Sequence, residues 1–117
     1  MKKNYRKAIV FSNRQKAGIL EETERGYKFT YDKDFIDKQV PISISLPLQE
    51  EPYESEELFP FFQGLLPEGW YLDIVASTLK IDKEDDYGIL LATCKETIGA
   101  ISIKEIVWID VFHAGIK

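Results

Sequence analysis

Cys94 and His113 are the single cysteine and the single histidine of the chain, so they form the one thiol–imidazole pair that nucleophilic catalysis could use. Cys94 follows Ile89-Leu90-Leu91-Ala92, however, and a lone cysteine in an apolar stretch reads as a small buried hydrophobe. A zinc site needs about four ligands at tight spacing, which this pair does not supply. Asp82, Glu84, Asp85 and Asp86 crowd together, but the alternating acids, glycine and closing glutamate of a calcium loop are missing. Helix capping and solvation account for them. Gly18, Gly26, Gly64, Gly69, Gly88, Gly99 and Gly115 are isolated, so no glycine loop cradles a phosphate. Neither H-R-D nor D-F-G occurs, which removes the kinase catalytic motifs. These residues predict a protein that is not an enzyme and takes no metal and no cofactor.

What the residue types offer instead is recognition. Leu58-Phe59-Pro60-Phe61-Phe62-Gln63-Gly64-Leu65-Leu66-Pro67-Glu68-Gly69-Trp70-Tyr71-Leu72 concentrates aromatic residues between closely spaced prolines and glycines. Aromatic side chains dominate core and interface energetics. The spacing predicts a short apolar helix from Phe59 to Phe62, a break at Gly64, and a second helix over about 68–80 with Pro67 at its first position. On a helical wheel Tyr71, Ile74, Val75 and Leu79 share a wide apolar face, flanked by Leu72 and Ala76. Trp70 falls with Asp73, Ser77 and Lys80 on the polar side. Two readings of Trp70 stand: a core residue, if the helix starts later, or an exposed anchor for a partner pocket. Phe59, Phe61, Phe62, Leu65 and Leu66 read as core.

Other elements must position this stretch. Lys7 to Phe11 reads as a strand, Asn13 to Lys16 as a turn, and Ala17 to Thr23 as a second strand. Glu24-Arg25-Gly26 is a hairpin connection. Tyr27 to Tyr31 alternates strictly, placing Tyr27, Phe29 and Tyr31 on one face of a third strand. Asp32-Lys33-Asp34 turns the chain before a short helical or extended Phe35-Ile36. Pro41 to Leu48 also alternates, with Ile42, Ile44 and Leu46 facing one way, and the bracketing prolines suggest an edge strand. The acidic run Glu50, Glu51, Glu54, Glu56 and Glu57 reads as a solvated loop. Asp82 or Asp85 would cap a helix over Asp86 to Cys94. Ile98 to Ile103 reads as a strand in which Gly99 permits close backbone approach, and Glu105 to Phe112 as a last one. The fold class is α+β: a mostly antiparallel β-sheet from N- and C-terminal strands, with about three helices in the middle packed on one face.

The chain of 117 residues suits one domain with one core. Hydrophobic content of 44% makes wholesale disorder unexpected. A net charge of −5 argues against direct nucleic-acid contact. One cysteine excludes an internal disulfide framework and fits a reducing cytoplasm. No segment approaches the roughly 20 apolar residues of a membrane helix, and the basic N-terminus has no apolar run suited to a signal peptide.

Phe61-Phe62-Gln63-Gly64-Leu65-Leu66-Pro67-Glu68-Gly69 resembles the "fFenLLPEG" signature in the N-terminal domain of HipA-type kinases, the toxins of bacterial HipBA toxin–antitoxin pairs. Ala17-Gly18-Ile19-Leu20, Tyr27 to Asp32, Pro41 to Leu48, Asp85 to Leu91 and Ile98-Gly99-Ala100 resemble further family segments in the same order. The similarity runs from about 17 to 103 within a single domain spanning 1–117, and leaves 104–117 as an unaligned tail. Where the family often has glycine followed by an acid, this chain has Cys94-Lys95-Glu96. Family members continue into a kinase body after this domain. A free-standing copy resembles HipS, the small antitoxin of tripartite HipBST systems.

This resemblance implies a non-catalytic cytoplasmic protein that binds and neutralises a HipA/HipT-like Ser/Thr kinase. The helix after the LLPEG motif would dock on the kinase with Trp70 in a pocket near its active site, an anchor worth roughly 2–4 kcal/mol. Leu66, Pro67, Glu68 and Gly69 would set the helix's angle, and Asp73 shares the face of Trp70. Two alternatives stand beside it. The chain could be a regulatory or truncated N-terminal subunit that completes a HipA-like kinase in trans. It could also be a co-repressor acting through a HipB-like DNA-binding partner.

Overall fold

Strict alternation of large and polar residues produces the centre of the sheet. In a computed structural model, which describes residues 5–38, 40–94 and 100–106, Tyr27–Tyr31 forms strand β3 with Phe29 and Tyr31 buried. It is preceded by β1 (Lys7–Ser12) and β2 (Gln15–Glu22) and followed by helix α1 (Lys33–Ile36). Next come β4 (Tyr53–Ser55), α2 (Pro60–Gln63), α3 (Gly69–Leu79), α4 (Asp86–Thr93) and β5 (Ile101–Ile106). The five strands lie in the order β4-β3-β2-β1-β5, and each neighbouring pair is antiparallel. Among the described residues the C-terminal strand β5 thus pairs with β1, as the α+β reading expects.

One face of the sheet presents Ala8, Val10, Leu20, Phe29 and Ile103, all with no exposed surface. α2 and α4 cover that face. Phe62 of α2 meets the Phe29 ring at 5.7 Å and draws Phe59 and Phe61 around it at 6.3 and 5.1 Å. From α4 come Tyr87, Ile89, Leu90 and Leu91, all buried. Tyr87 stacks on Tyr27 and donates its hydroxyl to the Leu20 carbonyl, so its polar end is satisfied inside the core. Burying a side chain such as Phe29 or Phe62 contributes roughly 1.5–3 kcal/mol.

Pro41–Leu48 is not the expected edge strand. The Leu46 N–H donates to the Ser43 carbonyl at 3.0 Å, and Ser43 and Leu46 form an isolated bridge that closes a reverse turn. Ile44 is 95% exposed while Leu46 is buried, so the alternating residues do not share a face. The serines and prolines explain this. Ser43 Oγ accepts the Ser45 N–H at 3.1 Å, giving the backbone a local partner, and Pro41 and Pro47 bring no N–H for a ladder. The Tyr31 hydroxyl holds the turn to the sheet, donating to the Leu46 carbonyl and accepting the Ile42 N–H.

The edge position falls to β4, inside the acidic run that reads as a loop. Tyr53 lies opposite Phe29 and Glu54 opposite Lys28. Three residues are too few to show an alternation, and the open edge of β3 is what makes them a strand. Glu105 and Ile106 complete β5 rather than beginning a separate strand. The rest of the expected last strand, 107–112, lies outside the described residues, as do Lys95, Glu96, Gly99 and His113.

Candidate functional site

The LLPEG segment leaves the core gradually. Gly64 caps α2, and the N–H groups of Leu65 and Leu66 donate to the carbonyls of Phe62 and Gln63 at 3.1 Å. Leu65, Leu66 and Pro67 are half-buried, whereas Glu68 and Gly69 are exposed. Pro67 is not the first helical residue. Glu68 is the N-cap with an extended backbone, and α3 opens at Gly69 with φ of +58°. Nothing lies within 4 Å of where a Cβ would stand at Gly69, so its glycine is needed for conformation and not for space. That left-handed step turns the chain outward and fixes the direction of the helix.

α3 then carries its side chains away from the core. Within the helix Ala76 is buried, and Leu72 and Val75 are half-buried. Trp70 is 74% exposed, which decides between its two readings in favour of a surface residue. The apolar face read from the wheel lies largely outside: Tyr71, Ile74 and Leu79 are 54, 50 and 49% exposed. The reason lies in the composition of the helix. Trp70, Tyr71, Leu72, Ile74, Val75, Ala76 and Leu79 surround most of its circumference, and a helix resting on the body along one line buries one stripe. Ala76 is buried, and the large residues Trp70, Tyr71, Ile74 and Leu79 are left outside. The Trp70 and Tyr71 rings meet edge to face at 6.2 Å, which gives the tip a defined shape.

Asp73 stands exposed and pairs with Lys83 Nζ at 3.2 Å. Of the residues expected to meet a partner, Trp70, Glu68, Gly69 and Asp73 are thus on the surface, and Leu66 and Pro67 form the half-buried approach. Wheel position groups Tyr71, Ile74 and Leu79 on one apolar face, and the structure leaves all three about half exposed. The signal for their exposure was the excess of apolar residues over what one stripe can bury.

The remaining polar chemistry serves the fold. Arg6 binds Glu22 and Asp85 at 2.8 Å each and lies over the Tyr87 ring at 5.1 Å. Asp85 also caps α4 by accepting the Gly88 N–H at 3.1 Å. Hydrogen bonds to Glu22 and then to Asp85 raise the pKa of Arg6 further above its ordinary value. An open cleft of about 510 Å³ beside this cluster is lined by Arg6, Asp85, Gly88, Leu91 and Lys104, well separated in sequence from Trp70. The guanidinium there is committed to two carboxylates. Cys94 is buried, and burial raises its thiol above the usual range, the opposite of an activated nucleophile. Among the described residues no group of His, Cys, Asp and Glu side chains is arranged to hold a metal ion. No helix among them is long and apolar enough to cross a membrane.

Comparison with known proteins identifies the family and the fold. The family model described as the HipA N-terminal domain matches residues 8–104. The solved structure titled "N-terminal domain of HipA toxin" superposes with a TM-score of 0.71 at 31% identity, covering 92% of this chain and 99% of that one. An uncharacterized protein of Haemophilus influenzae is 36% identical over 100 residues, spanning 86% of this chain and 92% of its own length. A Sinorhizobium fredii protein named "Putative kinase Y4mE" is 32% identical over 77 residues, 64% of this chain but 18% of that protein.

Proposed function

The chain belongs to the HipA N-terminal domain family, and from that premise we propose that it is a non-catalytic component of a toxin–antitoxin system that binds and neutralises a HipA/HipT-like Ser/Thr kinase in the cytoplasm. The observation that carries this reading is the placement of Trp70. The helix that follows the family's LLPEG motif holds a tryptophan 74% exposed at its tip, with a second ring braced against it. Exposed tryptophan is a poor surface residue and a common anchor at the centre of protein interfaces. Y4mE, the kinase-named relative, matches this chain over 18% of its length, which supports a domain that works alongside a larger body. In the proposed complex α3 docks on the kinase and Trp70 fills a pocket near its active site. Leu66, Pro67, Glu68 and Gly69 set the angle of presentation.

A titration against the cognate kinase tests this. Wild-type protein is expected to bind tightly and suppress phosphorylation, and Trp70→Ala to lower affinity by more than about tenfold, or roughly 1.4 kcal/mol, with matching loss of inhibition. Binding that raises kinase activity would replace the antitoxin reading with that of a subunit completing the kinase in trans. Affinity and inhibition that ignore Trp70→Ala would remove α3 from the interface.

A further inference from the structure

β5 lies at the edge of the sheet, and its backbone shows which residues are still open. In an antiparallel ladder the N–H and C=O of one residue point to the same side, and the side alternates along the strand. The Ala100 carbonyl accepts the Asn13 N–H at 2.8 Å, so the even-numbered residues of β5 bond toward β1. The Ile103 N–H donates away from the sheet, to the Cys94 carbonyl at 2.7 Å, so the odd-numbered residues bond outward. Cys94 closes the outer edge at Ile103, and Glu105 presents its N–H and C=O beyond it. Among the described residues no strand pairs with this edge. The cleft of about 510 Å³ runs along it, between β5 and α4. Gly88, Leu91 and Ala92 of α4, with Ile81, form its small and apolar wall, and Lys104 and Glu105 form the other. A strand edge beside a groove is the geometry by which an extended peptide is added to a sheet. We propose that an extended segment of the kinase pairs antiparallel with β5 at Glu105, placing a Lys or Arg opposite Glu105 in the cleft and an Asp or Glu opposite Lys104. The proposal rests on the reading above and gives the kinase a second, backbone-mediated contact.

Charge and position select this occupant. Lys104 is exposed and Glu105 half-buried, and among the described residues neither forms an ion pair. Arg6 in the cleft is already matched by Glu22 and Asp85, so the Glu105 carboxylate is the charge left to be met there. A basic side chain opposite it would lay its aliphatic stem on Leu91 and Ala92. Lys104 pairs with Ile9, on the face of the sheet away from α4, and an acid opposite it would be met there. A second copy of β5 cannot supply these charges. Two β5 edges related by a two-fold axis run antiparallel, and outward-bonding residues then face outward-bonding residues. Glu105 would meet Ile101, Ile103 or Glu105 of the copy, and Lys104 would meet Ser102, Lys104 or Ile106, never an opposite charge. The kinase is placed to do so. Ile81 in the cleft wall follows α3 by two residues, so a partner seated on α3 borders the cleft.

The test joins a titration of the cognate kinase with amide hydrogen exchange at Glu105. Glu105→Pro removes the outward N–H and leaves the bonds of Lys104 and Ile106 to β1 in place, a substitution that edge strands tolerate. It is expected to weaken kinase binding by more than about tenfold. Glu105→Gln and Lys104→Gln keep the backbone and should weaken it several-fold, an effect that shrinks at high salt. In the wild-type protein the Glu105 amide should exchange fast when free and at least about tenfold more slowly in the complex. If circular dichroism shows that Glu105→Pro has lost its fold, the exchange measurement decides. A Glu105 amide that stays fast in the complex, or equal losses from Glu105→Pro and Glu105→Gln, would overturn strand addition, while Trp70→Ala still tests the docking of α3. If Glu105→Pro weakens binding to a kinase that wild-type protein leaves fully active, strand addition stands and the antitoxin reading falls. If wild-type protein does not bind the kinase, both fall. An amide already slow in the free protein would overturn the proposal too, assigning the edge to the chain itself or, where the slowing grows with concentration, to a second copy.

Discussion

Arg6 shows how far a single side chain reaches in this fold. Its guanidinium donates to both oxygens of Glu22 at 2.8 Å and to both oxygens of Asp85 at 2.8 and 3.1 Å, and its backbone N–H donates to Glu22 as well. One residue thereby joins the start of β1, the end of β2 and the cap of α4. Bidentate charge-assisted pairs of this kind are the strong ones, and Glu22 has only 9% of its side chain exposed. Arg6→Ala is expected to lower unfolding stability by about 2 kcal/mol in urea denaturation. Lys7→Ala is the control. Its contact with Glu21 is 3.8 Å long and 59% of the lysine side chain is exposed, so the change should stay within about 0.5 kcal/mol. Equal losses from the two variants would mean that the Arg6 network is no better than a surface pair. The sequence shows Arg6 merely as one of four cations among the first seven residues. Its partners lie 16 and 79 residues away, a distance across which no local pattern operates.

At the scale of elements, α3 ends on a strained residue. Lys80 adopts φ of +58°, and the Ile81 N–H donates back to the Ala76 carbonyl at 2.9 Å, a helix-ending motif in which glycine is the usual left-handed residue. A side chain in that conformation costs about 1–2 kcal/mol, and the extra freedom of glycine in the unfolded chain takes back about half of it. Lys80→Gly is therefore expected to raise stability by about 0.5–1 kcal/mol, read as a higher melting temperature. A lower melting temperature would show that the lysine side chain holds the helix end through contacts that outweigh its strain. What was legible among the elements follows the same logic of local against distant causes. β3 was plain, because its alternation and its burial coincide. The hairpin at Glu24–Gly26 was equally plain, and so was the helix read over Asp86 to Cys94, since their signals sit within a few residues; between Asp82 and Asp85 as its cap the structure selects Asp85, and the helix ends at Thr93. Pro41–Leu48 misled, because period-two alternation is shared by a strand and by a serine-rich turn, and the Tyr31 hydroxyl that selects the turn is remote. β4 was hidden because its partner edge makes it. For α3 the helix was legible and its facing was not: wheel position says which residues lie together, not which side meets the body.

Across the whole molecule, the core is tied together by phenols whose hydroxyls end on carbonyls of other segments. Tyr87 reaches Leu20, and Tyr31 reaches Leu46. Burial raises the pKa of Tyr87, Tyr31 and Tyr27 above 10.0, with the negative charge of Glu22 adding to it for Tyr87 and Tyr27. Cys94 is raised above 9.0 for the same reason of burial. The fold therefore favours the protonated form of all four groups. Their contribution is complete while the unfolded chain also keeps these protons, at neutral pH and below. Above the ordinary values the unfolded chain releases protons that the folded chain retains, and stability falls with rising pH until the folded groups titrate too. Arg6, raised by its carboxylates, keeps its charge through this window, so its network does not cause the loss. Unfolding stability measured by urea titration should be level through neutrality, begin to fall near pH 9.0 with the thiol, and steepen past 10.0 with the phenols. In Cys94→Ala the onset should move to the phenol range even though the truncated side chain lowers stability at every pH. Stability that stays level to a pH of about 11 would show that these groups titrate alike in the folded and unfolded chains, and that burial does not favour their protonated forms.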